Sequence, residues 1–320
     1  MAEVVKSLKL YSGRSNPELA QKIATELGVE LGKITLTTFS NGEIYARYME
    51  SVRGSDVFII QSVAGEVNNA LMELLIMADA AKRASARTVT AVITHYGYSR
   101  QDKKSASREP ITAKLVANML TVAGVDRTIA IDLHQGQIQG FFDTPVNHLT
   151  ALPVFGDYFT AKNLKNICVV SPDVGRAKAA KKLADILHAD IAILHKTRPA
   201  HNKSEVANVI GDVAGKTCII NDDMIDTAGS IDGAVKALKK GKAKDIYICA
   251  THGLFSGPAY ERIAKAKVKE VVVCDTVAVP ADRLGGKIKV ETVAPLLARA
   301  IKSVFYEASV SEFFDPDFQL

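Results

Sequence analysis

The chain has 320 residues, of which 48% are hydrophobic and 23% charged, and its formal net charge is +5. That length and balance fit one large or two ordinary globular domains and exclude wholesale disorder. No apolar run approaches the roughly 18–20 residues of a bilayer-spanning helix. With 6% aromatics, no Trp and only a mild positive charge, the chain also lacks the concentrated basic stripe of a nucleic-acid binder.

Met1-Ala2-Glu3 is not followed by the basic and apolar segments of a signal peptide, so a cytoplasmic protein is expected. Apolar, β-branched runs then recur at 56–63, 88–94, 127–133, 166–171, 190–194, 216–221, 244–250 and 269–274. Between them lie helix-like patterns at 68–83, 111–123, 176–187, 230–239 and 259–266. Near-continuous apolar strands separated by amphipathic helices predict doubly wound parallel sheets covered on both faces, an α/β fold. Roughly ten strands exceed one ordinary sheet, so two α/β domains are expected, 1–148 and 149–305, with the aromatic tail 306–320 packing back on the first. Pro145 and Pro153 flank the expected break, and no close internal sequence repeat is visible. Cys168, Cys218 and Cys249 lie within the apolar runs and Cys274 closes another; with no CxxC pair, the four read as reduced, buried thiols.

Open α/β sheets bind ligands at the carboxyl ends of their strands, so polar residues there are the candidates. In Phe39-Ser40-Asn41-Gly42-Glu43, Phe39 offers a face for a base and Asn41 and Glu43 polar edges, but a plain turn between two strands fits equally well. Arg100 and Gln101 suit phosphate oxygens and a base or ribose edge, although the basic stretch 100–108 also fits a solvated loop. His134, two residues after Asp132 at a strand end, and Asp173, closing the apolar strand 168–171, offer a nitrogen and an oxygen to a cation; a lone His is more often structural. Lys196 and Arg198 sit two apart just past an apolar run, in what reads as a mobile loop. Two such cations suit a clamp for phosphoryl charge, or simply a basic loop.

The most informative run is Ile219-Ile220-Asn221-Asp222-Asp223-Met224-Ile225-Asp226-Thr227-Ala228-Gly229-Ser230. An apolar strand reaches two carboxylates, then a third, then small and hydroxyl residues that open a helix. A helix N-terminus with small residues and free N–H groups accepts a phosphate, while the carboxylates suit sugar hydroxyls or metal-bound water. An Asp N-cap alone accounts for Asp226 but not for Asp222 and Asp223. Two other signals carry nothing: 211–217 resembles a P-loop but is one residue short and precedes a strand, and Asn202-Lys203-Ser204 is a glycosylation sequon without secretory context.

The Asp222 run resembles the phosphoribosyl diphosphate signature shared by type I phosphoribosyltransferases and phosphoribosyl diphosphate synthases. The Phe39, Tyr98–Lys103, Asp132–His134, Ser171–Asp173 and Lys196–Pro199 stretches, with Gln137–Phe142 and Thr251-His252-Gly253, resemble those of ribose-phosphate diphosphokinases of the bacterial, phosphate-dependent class. The resemblance implies two phosphoribosyltransferase-like domains and transfer of the diphosphoryl group of ATP to ribose 5-phosphate, for nucleotide, histidine and tryptophan biosynthesis. It implies ATP on Phe39, Asn41, Gly42, Glu43, Arg100 and Gln101. It implies ribose 5-phosphate on Arg198, Asp222, Asp223, Asp226, Thr227, Ala228, Gly229 and Ser230. Lys196 and Arg198 map to the catalytic pair, and His134 and Asp173 to contacts of Mg2+. It also implies a homohexamer regulated by ADP and phosphate, with Arg53, Lys104, Ser105 and 309–313 as regulatory candidates. Two departures stand out: Val174-Gly175-Arg176 where many relatives have two glycines, and Asn41 where many carry Asp. A phosphoribosyltransferase acting on a base would use the same Asp222 run without an ATP site, and a catalytically silent regulatory relative should have lost Lys196, Arg198 or His134, which this chain keeps.

Overall fold

Parallel strands with helices between them dominate the computed structural model, which describes residues 6–200, 203–284 and 286–309, with 196–200 and 203–207 described by backbone alone. Contacts divide the chain into two compact units. The first comprises the described residues up to Thr150, together with Thr276–Ala278 and the described residues from Val293; the second comprises Ala151–Asp275 and Val279–Thr292.

The first unit runs β1 (Leu8–Ser12), α1 (Pro17–Leu27), β2 (Ile34–Thr38), β3 (Ile44–Tyr48), β4 (Asp56–Ser62), α2 (Val67–Arg83), β5 (Thr88–His95), α3 (Thr112–Val122), β6 (Arg127–Ile131) and β7 (Val146–Leu149). Its main sheet has the order β1-β4-β5-β6-β7, all parallel, and β2 and β3 form a separate antiparallel hairpin. All seven β4 side chains are buried, as a parallel strand covered on both faces requires. At α1, Asn16 caps the start by accepting from Leu19 N–H, Pro17 occupies the first turn, and Gly28 closes the helix in the left-handed conformation.

The second unit runs α4 (Leu152–Ala161), β8 (Ile167–Ser171), α5 (Ala177–Ile186), β9 (Asp190–Ala200), β10 (Lys203–Ile210), β11 (Thr217–Ile225), α6 (Gly229–Lys240), β12 (Asp245–Gly253), α7 (Ala259–Lys265), β13 (Glu270–Cys274) and β14 (Ile288–Glu291). Its sheet order is β10-β9-β8-β11-β12-β13-β14, and β10 alone is antiparallel. From β1 and from β8 the chain passes through the same elements: strand, helix, hairpin, strand, helix, strand, helix, strand, strand. The topology therefore repeats although the sequence does not visibly do so.

The fold is the expected α/β class of two parallel-sheet units, with several corrections of extent. α8 (Ala294–Phe305) was expected in the second domain but belongs to the first unit, where it lies against α1 with Leu296, Leu297 and Ile301 buried. Periodicity misses α4 and α8 because each carries a proline, Pro153 and Pro295, which reads as a breaker yet sits in the first helical turn. It misses β7 and β14 because they are four-residue strands, and β2 and β3 because their side chains are largely half-buried or exposed. Of residues 211–217, read from the sequence as a turn, 211–216 form the connection before β11 and Thr217 opens that strand, and Gly211 is held at φ +110 where a Cβ would sit 2.9 Å from the Ile191 carbonyl. All four cysteines are free and buried, and among the described residues no helix is long and apolar enough to cross a membrane. The tail 310–320, expected to pack back on the first domain, lies outside the described residues, as does Asn202 of the sequon.

Candidate functional site

In the second unit the strand order reverses beside β8. The chain moves outward through β9 and β10, then returns to β11 on the other flank of β8. The crevice beyond the carboxyl ends of two such strands is where open α/β sheets take ligands. Asp173 follows β8, and Asp222 and Asp223 lie near the end of β11.

The two acids do not follow β11, as expected from the sequence, but belong to it. β11 pairs with β8 only as far as Ile220, whereas it pairs with β12 as far as Ile225. β8 stops at Ser171, so the last turns of β11 form a step whose β8-side edge lacks a strand neighbour. An apolar pattern alone does not reveal such a continuation, because Asn221, Asp222 and Asp223 interrupt the apolar run before Met224 and Ile225.

Asp223 is only 2% exposed, whereas the Asp222 side chain is 25% exposed. Asp222 Oδ1 accepts from the Asp223 N–H at 2.9 Å. Burial, and then the adjacent Asp223 carboxylate, push the Asp222 carboxyl up to about 7. Arg176, with Nε 4.0 Å from Asp222 Oδ1, pulls it down. The Arg176 Nε is itself buried without a hydrogen-bond partner among the described residues. Arg176 therefore faces Asp222, which neither the motif nor its spacing indicated. Asp173 begins the turn 174–176, its Oδ1 accepting from Arg176 N–H at 3.2 Å.

Asp226, Thr227 and Ala228 link β11 to α6. Ala228 takes a left-handed conformation, φ 55 and ψ 18, and α6 starts at Gly229 with no side-chain cap. Thr227, Gly229 and Ser230 are exposed and Ala228 is buried. The first-turn N–H groups and the positive end of the helix thus open on the strand-end side, a setting that suits a phosphate. The backbone of Lys196 and Arg198 is not loop, as expected, but strand: β9 continues to Ala200, and Lys196 pairs with Val206 of β10.

The remaining candidates lie in the first unit. Phe39–Glu43 forms the tip of the β2–β3 hairpin, closed by Phe39 N–H to Glu43 O and Gly42 N–H to Phe39 O, both 2.8 Å, with Gly42 at φ 92. The Phe39 ring is 54% exposed and lies 5.8 Å from that of Tyr45. Asn41 Oδ1 accepts from Glu43 N–H at 3.1 Å. An amide oxygen serves this turn as well as a carboxylate, so the departure from Asp leaves the loop's shape intact. Arg100 and Gln101 follow β5, and His134 follows β6, its neighbour in the sheet. Gln101 Oε1 accepts from Thr112 Oγ1 at 2.6 Å, tying this loop to the start of α3. Arg100 is exposed and His134 half-buried. Asp132 is left-handed at φ 41, and Leu133 N–H donates to His148 Nε2 at 2.9 Å. Next to Gln101, the buried Asp102 has an Oδ2 without a hydrogen-bond partner among the described residues, a feature with no sequence signal.

Among the described residues, no three His, Cys, Asp or Glu side chains gather into a metal cage. Asp173, an oxygen donor just past the end of β8, is the type of side chain magnesium takes, since that ion binds through one or two side chains, substrate phosphates and several waters.

Comparison with known proteins gives a consistent result. Residues 8–124 match the family described as the N-terminal domain of ribose phosphate pyrophosphokinase, and 198–315 match the phosphoribosyl synthetase-associated domain. The chain is 53% identical over 315 residues to the ribose-phosphate pyrophosphokinase of Bacillus caldolyticus, covering 98% of this chain and 100% of the relative. It is 53% identical over 309 residues to that of Bacillus subtilis (strain 168), covering 97% and 98%. The crystal structure of phosphoribosylpyrophosphate synthetase from Mycobacterium smegmatis superposes with a TM-score of 0.89 at 46% identity, covering 94% of this chain and 100% of the other.

Proposed function

The chain belongs to the ribose-phosphate pyrophosphokinase family, and from that premise we propose which half of the molecule takes which substrate. The reaction is transfer of the β,γ-diphosphoryl group of ATP to the 1-hydroxyl of ribose 5-phosphate, giving phosphoribosyl diphosphate and AMP. The second unit takes ribose 5-phosphate. The observation that carries this is the pairing, at one strand-order reversal, of two carboxylates on β11 with an uncapped α6 N-terminus, the strand and helix being joined by the short link Asp226, Thr227 and Ala228. The 5-phosphate lies on Asp226–Ser230, and Asp222 and Asp223 accept from the sugar diol. Arg198 adds a phosphate contact, by resemblance to the family.

The first unit takes ATP. The base stacks on Phe39, whose exposed ring supports this, with Asn41, Gly42 and Glu43 along its edge. Arg100 and Gln101 reach the phosphates and ribose. The 1-hydroxyl oxygen forms a bond to the β-phosphorus as the bond from that phosphorus to the α,β-bridging oxygen breaks. The hydroxyl proton is lost and AMP departs. Positioning and charge neutralisation carry such a step, and Lys196 and Arg198 are the cations proposed to meet the developing charge. Magnesium, with His134 and Asp173 as its proposed protein contacts, would screen the phosphate oxygens.

A homohexamer, inhibition by ADP and activation by phosphate are proposed from the family resemblance, as is a cytoplasmic location. Arg53, Lys104, Ser105 and Ser309 are exposed and suit a regulatory surface; 310–313 lie outside the described residues. Incubation with ATP, ribose 5-phosphate and magnesium, followed by identification of the released nucleotide, tests the reaction. AMP with equimolar sugar diphosphate is expected. ADP would mean γ-transfer, and no turnover would mean a silent relative.

A further inference from the structure

The three-residue link before α6 is held from behind. Carbonyls of three successive residues are engaged by the segment that follows β12: Leu254 and Phe255 N–H donate to Ile225 O at 2.9 and 3.1 Å, Ser256 N–H to Asp226 O at 3.0 Å, and Arg262 Nη1 to Thr227 O at 2.9 Å. Arg262 is the only side chain in that series. It stands on α7, which is anchored by buried Ala259 and Ile263 and by the Phe255–Tyr260 ring pair, 5.1 Å apart.

The link needs such a hold. Ala228 adopts a left-handed conformation at φ 55, which costs a residue with a Cβ roughly 1–2 kcal/mol, and no side chain caps α6 to compensate. Because a peptide is planar and trans, its C=O and N–H point in opposite directions. Fixing the Thr227 carbonyl on Arg262 therefore turns the Ala228 N–H to the other side of the link. The guanidinium also lies 3.3 Å from where a Gly229 Cβ would stand, so it packs directly under the first residue of α6. A cation at the positive end of a helix is unfavourable on its own and becomes favourable when an anion is seated there.

We propose that Arg262 is a positioning residue for the phosphate of ribose 5-phosphate: by gripping the Thr227 carbonyl it sets the peptide that presents the Ala228 N–H, just ahead of the first residue of α6. This rests on the reading that Asp226–Ser230 takes the 5-phosphate. Arg262 acts through the backbone and is no part of the transfer step, so its loss alters ribose 5-phosphate binding and leaves the ATP half untouched.

The test is steady-state kinetics on the full chain with Arg262→Met, which keeps most of the stem, Arg262→Lys, which keeps the charge and a donor, and Ser230→Ala. For Arg262→Met, the KM for ribose 5-phosphate should rise about tenfold, the scale of losing one hydrogen bond to a charged group. The KM for ATP, kcat and the thermal midpoint should stay near wild type, and Arg262→Lys should recover part of the loss. If Ser230→Ala raises the KM for ribose 5-phosphate and Arg262→Met does not, the role of Arg262 is overturned while the phosphate site stands. If neither variant moves it, the phosphate site falls, and this inference with it. If Arg262→Met lowers the thermal midpoint and raises both KM values together, Arg262 is merely structural and the proposal is wrong.

Discussion

The two units run through the same elements, yet they differ where strand meets helix. In the first, Gln61 stands two residues beyond Ile59, which shares a core with Leu71 and Leu74 of α2. In the second, Asp222 stands two residues beyond Ile220, which shares a core with Ile231 and Val235 of α6. Gln61 is consumed by its surroundings: its Nε2 donates to Ala70 O at 3.1 Å and to Glu73 Oε1 at 3.0 Å, its Oε1 accepts from Ser15, and Glu73 is paired with Arg14. Asp222 keeps a carboxyl pushed up to about 7 by burial and by Asp223. A polar group satisfied internally stabilises a fold, whereas a buried like-charge pair is tolerated where a ligand will answer it. The hairpins diverge too. β9 and β10 join the sheet beside β8, while β2 and β3 leave theirs to form a separate ribbon with an exposed Phe39 at its tip.

The comparison breaks first, if it is wrong, at the hairpins. Lys196→Ala, on the hairpin that joined its sheet, should cut turnover about a thousandfold, with circular dichroism unchanged; near-normal turnover would remove Lys196 from the chemistry. Gln61→Ala should cost about 2 kcal/mol of stability, because Glu73 and the Ala70 carbonyl lose a buried partner. Denaturant unfolding would report this, while both KM values should hold. Phe39→Ala, on the detached hairpin, should raise the KM for ATP about tenfold through lost stacking and leave that for ribose 5-phosphate alone.

The smallest effect concerns charge. Because the folded-state value of Asp222 is raised above its ordinary range, the native state binds the proton more tightly than the unfolded chain does. Stability therefore falls as pH rises from about 4 to about 7 and stays lowered above that. Asp222→Asn removes this strain, so without substrate it should melt a few degrees higher than wild type at pH 8, on the scale of about 1 kcal/mol. The two should converge near pH 4. Activity should fall at the same time, and a lower melting point at pH 8 would show that Asp222 is stabilising rather than strained.

Much of this was legible in the sequence. The buried parallel strands announce themselves as apolar runs, and the 219–230 run carries carboxylates, small residues and hydroxyls in the order in which the proposed site would use them. What escaped did so for physical reasons. Asn221, Asp222 and Asp223 interrupt the apolar run of β11, and beyond Ile220 the strand is paired on one flank alone, so its end reads as Asn221. The extension of β9 through Lys196 and Arg198 contains Pro199 and charged residues, and looked like loop. Arg176 and Arg262 reach the site from a turn and a helix some distance along the chain, and such approaches leave no periodic trace. The repeated topology is hidden because equivalent strand positions carry different residues: Ile59-Ile60-Gln61-Ser62 stands where Ile220-Asn221-Asp222-Asp223 does, and the first isoleucine alone is shared.

The central claim is that the second unit binds ribose 5-phosphate through the β11 carboxylates while ATP is held elsewhere. The most direct measurement is the KM for each substrate in the double variant Asp222→Asn/Asp223→Asn. We expect the KM for ribose 5-phosphate to rise at least about tenfold, the scale of two weakened charge-assisted hydrogen bonds, with the KM for ATP within twofold of wild type. A rise in the KM for ATP alone, with that for ribose 5-phosphate unchanged, would contradict the assignment.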